Sequence, residues 1–306
     1  MTKSKNWLVY AIITTLFWGV WGALIEITEK AGFPATLGYV VWALTMIPPA
    51  IAALYNINWE LDFSRNAIIY GSLAGFTGAG GQLILFETLR LGPAYLVFPI
   101  ISLSPVVTII LSTIFLNEKT GKLGWGGITL ALIAIPLLSY QEPSTSTTTG
   151  ILWLVLALIV FGAWGFQAYV LRFANKSMKA ESIFFYMMAT AIILIPVAIF
   201  MTDFSQPINW GFKGPYLAAL IQTLNSVGAL MLVFAFRYGK AIIVSPMTNA
   251  LAPVITIILS LSIYSVIPHP IIITGMVLAV IATLLMGYEE EIDEENPQEL
   301  TAETTQ

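Results

Sequence analysis

The sequence predicts an all-α integral membrane protein, with ten transmembrane helices arranged as two inverted five-helix repeats. Three observations lead there. Of 306 residues, 58% are apolar and only 10% are charged, whereas a soluble chain carries about a quarter charged residues. The apolar residues fall in continuous stretches of roughly 20, the length a helix needs to cross about 30 Å of hydrocarbon. An eight-residue motif in the fourth stretch recurs in the ninth, Pro105 to Ser112 against Pro253 to Ser260, with seven of eight positions identical.

In chain order the predicted spans cover roughly 7–28, 35–55, 66–89, 93–116, 123–140, 150–171, 181–201, 214–236, 240–264 and 269–288. Helix-ending punctuation separates them: Gly32-Phe33-Pro34, Asn56-Ile57-Asn58, Gly92-Pro93, Gln141-Glu142-Pro143, Gln206-Pro207 and Pro268-His269-Pro270. A β-barrel would show alternating strands of about ten residues, and these runs are continuous instead. The first span is too long for a removable signal peptide and has no small-residue cleavage site. With no Cys in the chain, disulfides and thiolate or Cys-ligated metal chemistry are excluded.

The formal charge of −4 hides a division. Eight of the 17 acids lie in the last 18 residues, and the rest of the chain carries 13 bases against nine acids. With the N-terminus placed inside, ten bases fall on the inner side: Lys3, Lys5, Arg65, Lys119, Lys122, Arg172, Lys176, Lys179, Arg237 and Lys240. Three fall outside: Lys30, Arg90 and Lys213. That bias predicts a multi-pass protein of the plasma (inner) membrane with both termini cytoplasmic. The expected organisation is a first repeat over 1–142, a polar linker over 143–149, a second repeat over 150–288, and a disordered acidic tail over 289–306.

The repeat extends beyond the shared motif. Arg90-Leu91-Gly92 parallels Arg237-Tyr238-Gly239, Pro99 parallels Pro246, and Trp18-Gly19-Val20-Trp21-Gly22 is answered by Phe161-Gly162-Ala163-Trp164-Gly165. Five spans per half is odd, so the copies must lie in opposite orientation, the plan of secondary transporters with a midplane site between halves.

These residues resemble the drug/metabolite transporter superfamily in its ten-helix EamA-type branch. The resemblance rests on Phe17-Trp18-Gly19 and on the segment from Thr88-Leu89-Arg90 through Pro105 to Leu116-Asn117-Glu118. The second copy departs from it, since Ser265-Val266-Ile267-Pro268 holds no acid. The resemblance implies proton- or gradient-linked movement of small metabolites, with a pocket lined by spans one, three, four, six, eight and nine.

Two carboxylates, Glu26 and Glu87, lie near the outer ends of spans one and three and are candidates for proton coupling. As end anchors they would instead pair with neighbours, Glu26 beside Lys30 and Glu87 with Arg90 at i, i+3. Arg90 and Arg237 suit the C-terminal dipoles of their helices, and Glu118 reads as a helix-start or interface residue. Candidate substrate contacts are the mid-span amides Gln82, Gln167, Gln222, Asn225 and Asn249, which need partners in a dry core. Trp18, Trp21 and Trp164 join them, because they sit inside the spans and not in the interfacial belts. Both groups have a packing alternative. Pro99, Pro105, Pro246 and Pro253 are candidate hinges. Gly71, Gly75 and Ala79 form a close-packing face, not a phosphate-binding loop. No metal or cofactor is expected, and His269 stands alone in its loop.

The function expected is a secondary active transporter of a small metabolite working by alternating access, monomeric or homodimeric, with the bilayer as its other partner. A passive channel or facilitator and a sugar uptake permease are the alternatives. A membrane enzyme would need Glu26 and Glu87 as an acid pair, and no role in binding nucleic acid is expected.

Overall fold

In the computed structural model, which describes residues 6–92, 94–140, 151–264 and 268–295, each predicted stretch contains a helix, and no strand occurs among the described residues. We number the helices α1 (Asn6–Lys30), α2 (Ala35–Asn56), α3 (Arg65–Leu91), α4 (Ala94–Ser102, resuming as Pro105–Phe115), α5 (Lys122–Leu138), α6 (Leu152–Ala174), α7 (Ala180–Phe200), α8 (Phe212–Tyr238), α9 (Ala241–Tyr264) and α10 (Pro270–Glu295). Among the described residues, nine are long and apolar enough to cross a membrane; α5, of 17 residues, is apolar but shorter. The linker predicted over 143–149, Lys3 and Lys5 lie outside the described residues.

Local chemistry sets the ends. The Ser64 hydroxyl accepts from the Ala67 N–H at 3.2 Å and caps α3. Gly32, at φ 90°, takes the left-handed turn that stops α1. One boundary needs correcting: α10 continues past 288 to Glu295, so the first part of the acidic segment is helical. Glutamate is a good helix former, and no breaker occurs before Pro297. Residues 296–306 lie outside the described residues.

Prolines bend some helices and not others. α2 breaks at Met46, just before Pro48 and Pro49, and α7 breaks at Leu194, before Pro196. α4 stops at Ser102 and restarts with Pro105 in its first turn, where the missing N–H costs nothing. α9, by contrast, runs unbroken through Pro246 and Pro253. The side chain of Pro99 lies outside the described residues.

Contacts between connections sort into two ends. At one, which we call the basic end, Lys179 pairs with Glu60 at 2.7 Å and Arg172 with Glu118 at 2.7 Å. Glu118 Oε2 there accepts from the Ile242 N–H at 3.2 Å, and Gly121 abuts Glu289. At the opposite end Asn209 donates to the Gly32 and Ala31 carbonyls at 3.0 and 2.9 Å. Thr36 and Thr202 share a 2.7 Å hydrogen bond there, and the rings of Tyr140 and His269 approach to 4.8 Å. α5 lies antiparallel along α10, with Gly127 on Met286 and Ala282 and with Leu137 and Leu138 on Gly275.

The two halves make matching contacts. Gly19 of α1 lies against Ala252 and Ile255 of α9, and Gly165 of α6 against Ser104 and Val107 of α4. Trp18 covers Gly228, and Trp164 covers Gly81. Trp7 covers Gly239, and Trp153 covers Gly92. Each glycine admits a large neighbour that a Cβ would displace. On α3, Gly71 and Gly75 receive Tyr186 and Thr190 of α7, and Ala79 on the same four-residue spacing is buried.

Candidate functional site

A chain of hydrogen bonds links six helices, α8, α1, α9, α4, α6 and α3, through the middle of the protein. Trp18 Nε1 donates to the Asn225 carbonyl at 3.3 Å and joins α1 to α8. Thr256 Oγ1 donates to the Gly19 carbonyl at 2.9 Å and joins α9 to α1. Ser245 Oγ donates to Thr108 Oγ1 at 3.3 Å, across α9 and α4, and Thr108 Oγ1 donates to the Gly165 carbonyl of α6 at 2.9 Å. Trp164 Nε1 closes the run on the Gly78 carbonyl of α3 at 3.2 Å. Carbonyls are open to such bonds at Gly19, Gly78 and Gly165 because no side chain stands over them. Thr108, Ser245 and Thr256 were not singled out in the sequence, although two of them sit at the same place in the repeated motif.

The candidate pocket residues lie on the helices this chain of bonds joins, but they differ in freedom. Trp18 and Trp164 are tied to backbone carbonyls. Trp21 Nε1 donates to Gln222 Oε1 at 3.0 Å, and the Gln222 side chain is buried. Asn249 Nδ2 donates to the Ser245 carbonyl of its own helix at 2.9 Å. Gln82, Gln167 and the Asn225 amide, all partly buried, have no hydrogen-bond partner among the described residues. In a dry setting each would cost free energy unless water or a ligand bonded it. One further donor belongs with them: Trp42 Nε1 of α2 is buried without a partner among the described residues. It carries the signal that drew attention to the other tryptophans, an indole far from either helix end.

The two candidate acids sit elsewhere. Glu26 pairs with Lys30 at 2.6 Å, with its side chain 56% exposed. Glu87 holds Arg90 through two bonds, Nε to Oε2 at 2.9 Å and Nη2 to Oε1 at 2.6 Å. Both pairs join neighbours on one helix, at the opposite end, away from the six-helix chain of bonds. A buried ion pair that sequence reasoning passed over joins Arg172 and Glu118. Arg172 Nε donates to Glu118 Oε1, and its Nη1 donates to the Phe236 and Arg237 carbonyls at 2.9 and 3.1 Å. The two side chains are 18% and 6% exposed. Among the described residues no group of three His, Cys, Asp or Glu side chains is placed to hold a metal ion.

A bundle of long apolar helices, glycine-packed around uncharged and partly unengaged polar side chains, defines a multi-pass membrane protein. The chain belongs to the EamA-like transporter family, whose profile matches residues 5–140 and again 148–288. It is therefore a transporter and not an enzyme. Among its relatives, an uncharacterised transporter in the cobO 3′ region of Sinorhizobium sp is 28% identical over 131 residues, 41% of this chain and 90% of that protein. An S-adenosylmethionine uptake transporter of Rickettsia felis is 29% identical over 190 residues, 61% of this chain. That match spans 60% of the rickettsial protein, less than two thirds of its length. A protein of known crystal structure shares the fold with a TM-score of 0.75 at 15% identity, over 92% of this chain and 97% of that one.

Proposed function

We propose that this protein is a secondary transporter that carries a small polar metabolite across the plasma membrane by alternating access. In this reading all ten apolar helices cross the bilayer. α5 joins a connection at the basic end to one at the opposite end and lies antiparallel along its neighbour α10, which supports its crossing despite its 17 residues. Five crossings per half invert the second copy relative to the first. The double family match and the paired contacts of Gly19 with Gly165, Gly81 with Gly228 and Gly92 with Gly239 support that inversion. The excess of bases places the basic end in the cytoplasm.

The observation that carries the reading is the set of unengaged amides, Gln82, Gln167 and Asn225, among helices tied by Trp and Thr bonds. Amides supply both donors and acceptors, and the indoles of Trp18, Trp21 and Trp164 offer faces to a planar or cationic group. Such a lining suits an overall polar solute carrying an aromatic ring or a diffuse positive charge. S-adenosylmethionine, the solute of the rickettsial relative, has both and is the first compound to test.

The test is counterflow in proteoliposomes, with S-adenosylmethionine, amino acids, sugars and nucleosides each tried as labelled solute. Unlabelled solute inside should accelerate entry of label and drive it to a transient excess. Flux that rises in proportion to concentration, with no trans-stimulation by any solute, would replace the carrier with a passive pore.

A further inference from the structure

The paired contacts provide a register between the halves, and one pair of positions breaks it chemically. Arg172 and Asn175 lie seven and ten residues beyond Gly165; Glu26 and Glu29 lie seven and ten beyond Gly19. On the facing helices, Phe236 and Val233 stand beyond Gly228 as Leu89 and Phe86 stand beyond Gly81. At the basic end the first set closes the gap between α6 and α8. Arg172 donates to the Phe236 and Arg237 carbonyls, and Asn175 Nδ2 donates to the Val233 carbonyl at 3.0 Å. At the opposite end Glu26 is turned to Lys30, Glu26 and Glu29 are exposed, and Arg90 is held by Glu87 with 71% of its side chain exposed. Peripheral bonds exist at both ends, Asn209 to Ala31 at one and Tyr186 to the Asp62 carbonyl at the other. The asymmetry lies in the central pair of helices.

We propose that Glu26 and Glu29 are the proton-dependent latch of the opposite mouth, standing where Arg172 and Asn175 latch the basic mouth. The proposal rests on the alternating-access reading above. The reason is donor count. Arg172 and Asn175 always offer N–H groups to the carbonyls at the end of α8. An ionised carboxylate offers none, and it is repelled by the carbonyls that end α3. A protonated carboxyl has one O–H to donate, so the opposite mouth gains its closing bonds only when protons bind. Closure there then requires protons, whereas the basic mouth closes without them.

The groups that act on these two acids are few. On α1 there is Lys30. The first turn of α8, packed against α1, contributes Lys213 and Tyr216. Across the mouth, the end of α3 carries Glu87 and Arg90, which bond each other.

The absence of native cysteine permits a direct test. Asn225→Cys puts one thiol about midway along α8. Right-side-out and inverted membrane vesicles are treated with a membrane-impermeant maleimide at several pH values. Labelling from the opposite end should fall as pH falls from about 7 to about 4, through the ordinary carboxylate range. Adding Glu26→Gln and Glu29→Gln supplies permanent amide donors. Labelling from that end should then drop by about tenfold and lose its pH dependence. Labelling unchanged by the two substitutions, with wild-type sidedness kept, would overturn the latch alone. Equal labelling from both sides in the parent would overturn the carrier reading itself. Both acids are exposed, so folding of the variant is expected to be normal, and its thermal unfolding profile verifies that.

Discussion

Replacing Arg172 by Met keeps most of the apolar stem and removes the guanidinium. The Glu118 carboxylate, 6% exposed, is then left with the Ile242 N–H at 3.2 Å. The Phe236 and Arg237 carbonyls lose their donor as well. Breaking a buried pair by deleting one partner costs about 3–5 kcal/mol, because the remaining charge is uncompensated. At roughly 2–4 °C per kcal/mol for a chain of this order of size, thermal unfolding in detergent should shift down by about 6–20 °C. Tryptophan fluorescence reports it, since Trp164 lies on α6, Trp18 covers Gly228 of α8 and Trp7 covers Gly239 just beyond it. The double variant Glu118→Gln with Arg172→Met removes the stranded charge and should recover at least half of the loss. A shift for Arg172→Met under about 2 °C, or a double variant as unstable as the sum of the singles, would refute the pair's role in holding α6, α8 and α9 together.

Three other outcomes follow from the packing and the electrostatics. In Gly71→Ala the new methyl would stand 2.7 Å from Tyr186 Cβ, so α3 and α7 must part at a cost of about 1–3 kcal/mol; an unchanged unfolding temperature would show a looser interface. Gln82→Ala, Gln167→Ala and Asn225→Ala should each weaken solute affinity by up to about tenfold, in line with a hydrogen bond of about 1 kcal/mol, and leave thermal stability within about 0.5 kcal/mol; loss of stability without loss of affinity would make them packing residues. The Lys179 ammonium bonded to Glu60 holds that exposed carboxyl below the usual range. Whatever stability the pair adds is present above the ordinary carboxylate range and lost as pH falls through the depressed value, so Lys179→Met should differ from wild type at neutral pH and converge with it in acid, as followed by unfolding temperature against pH.

Much of this arrangement was legible in the sequence, for a physical reason. A backbone inside hydrocarbon must satisfy its own hydrogen bonds, so a long apolar run has little choice but helix, and Gly or Pro marks where it ends. Legibility failed where helices continue without apolar content, as in the glutamate run of α10, and where a proline sits in a helix start. Pro105 stands at the break of α4 while Pro246 and Pro253 leave α9 whole. In the site, residue type and depth found the right side chains to inspect but not which were engaged. Gln222 is occupied by Trp21, and Gln82 is not; the partner atoms are across helices and invisible in one dimension. Arg172 was counted as a loop base because it ends its helix. Its bonds are to carbonyls, which no sequence pattern announces.

A repeat predicts contacts in pairs, and this is its main use in reading mechanism. Gly19 and Gly165, Gly81 and Gly228, Gly92 and Gly239 all keep their pairing, because close helix crossings tolerate only small residues in either copy. Where a pair is kept, the contact belongs to the scaffold and is indifferent to which mouth is open. Where geometry and chemistry both differ, as between Arg172 with Asn175 and Glu26 with Glu29, the alternating-access reading assigns the difference to the cycle. A transporter whose two latches used the same donors would have no built-in reason to prefer either mouth. In the latch proposed above, permanent donors at one mouth and titratable acids at the other would make the proton the determinant of that preference, and so would tie solute movement to a proton gradient without a charge in the solute site itself.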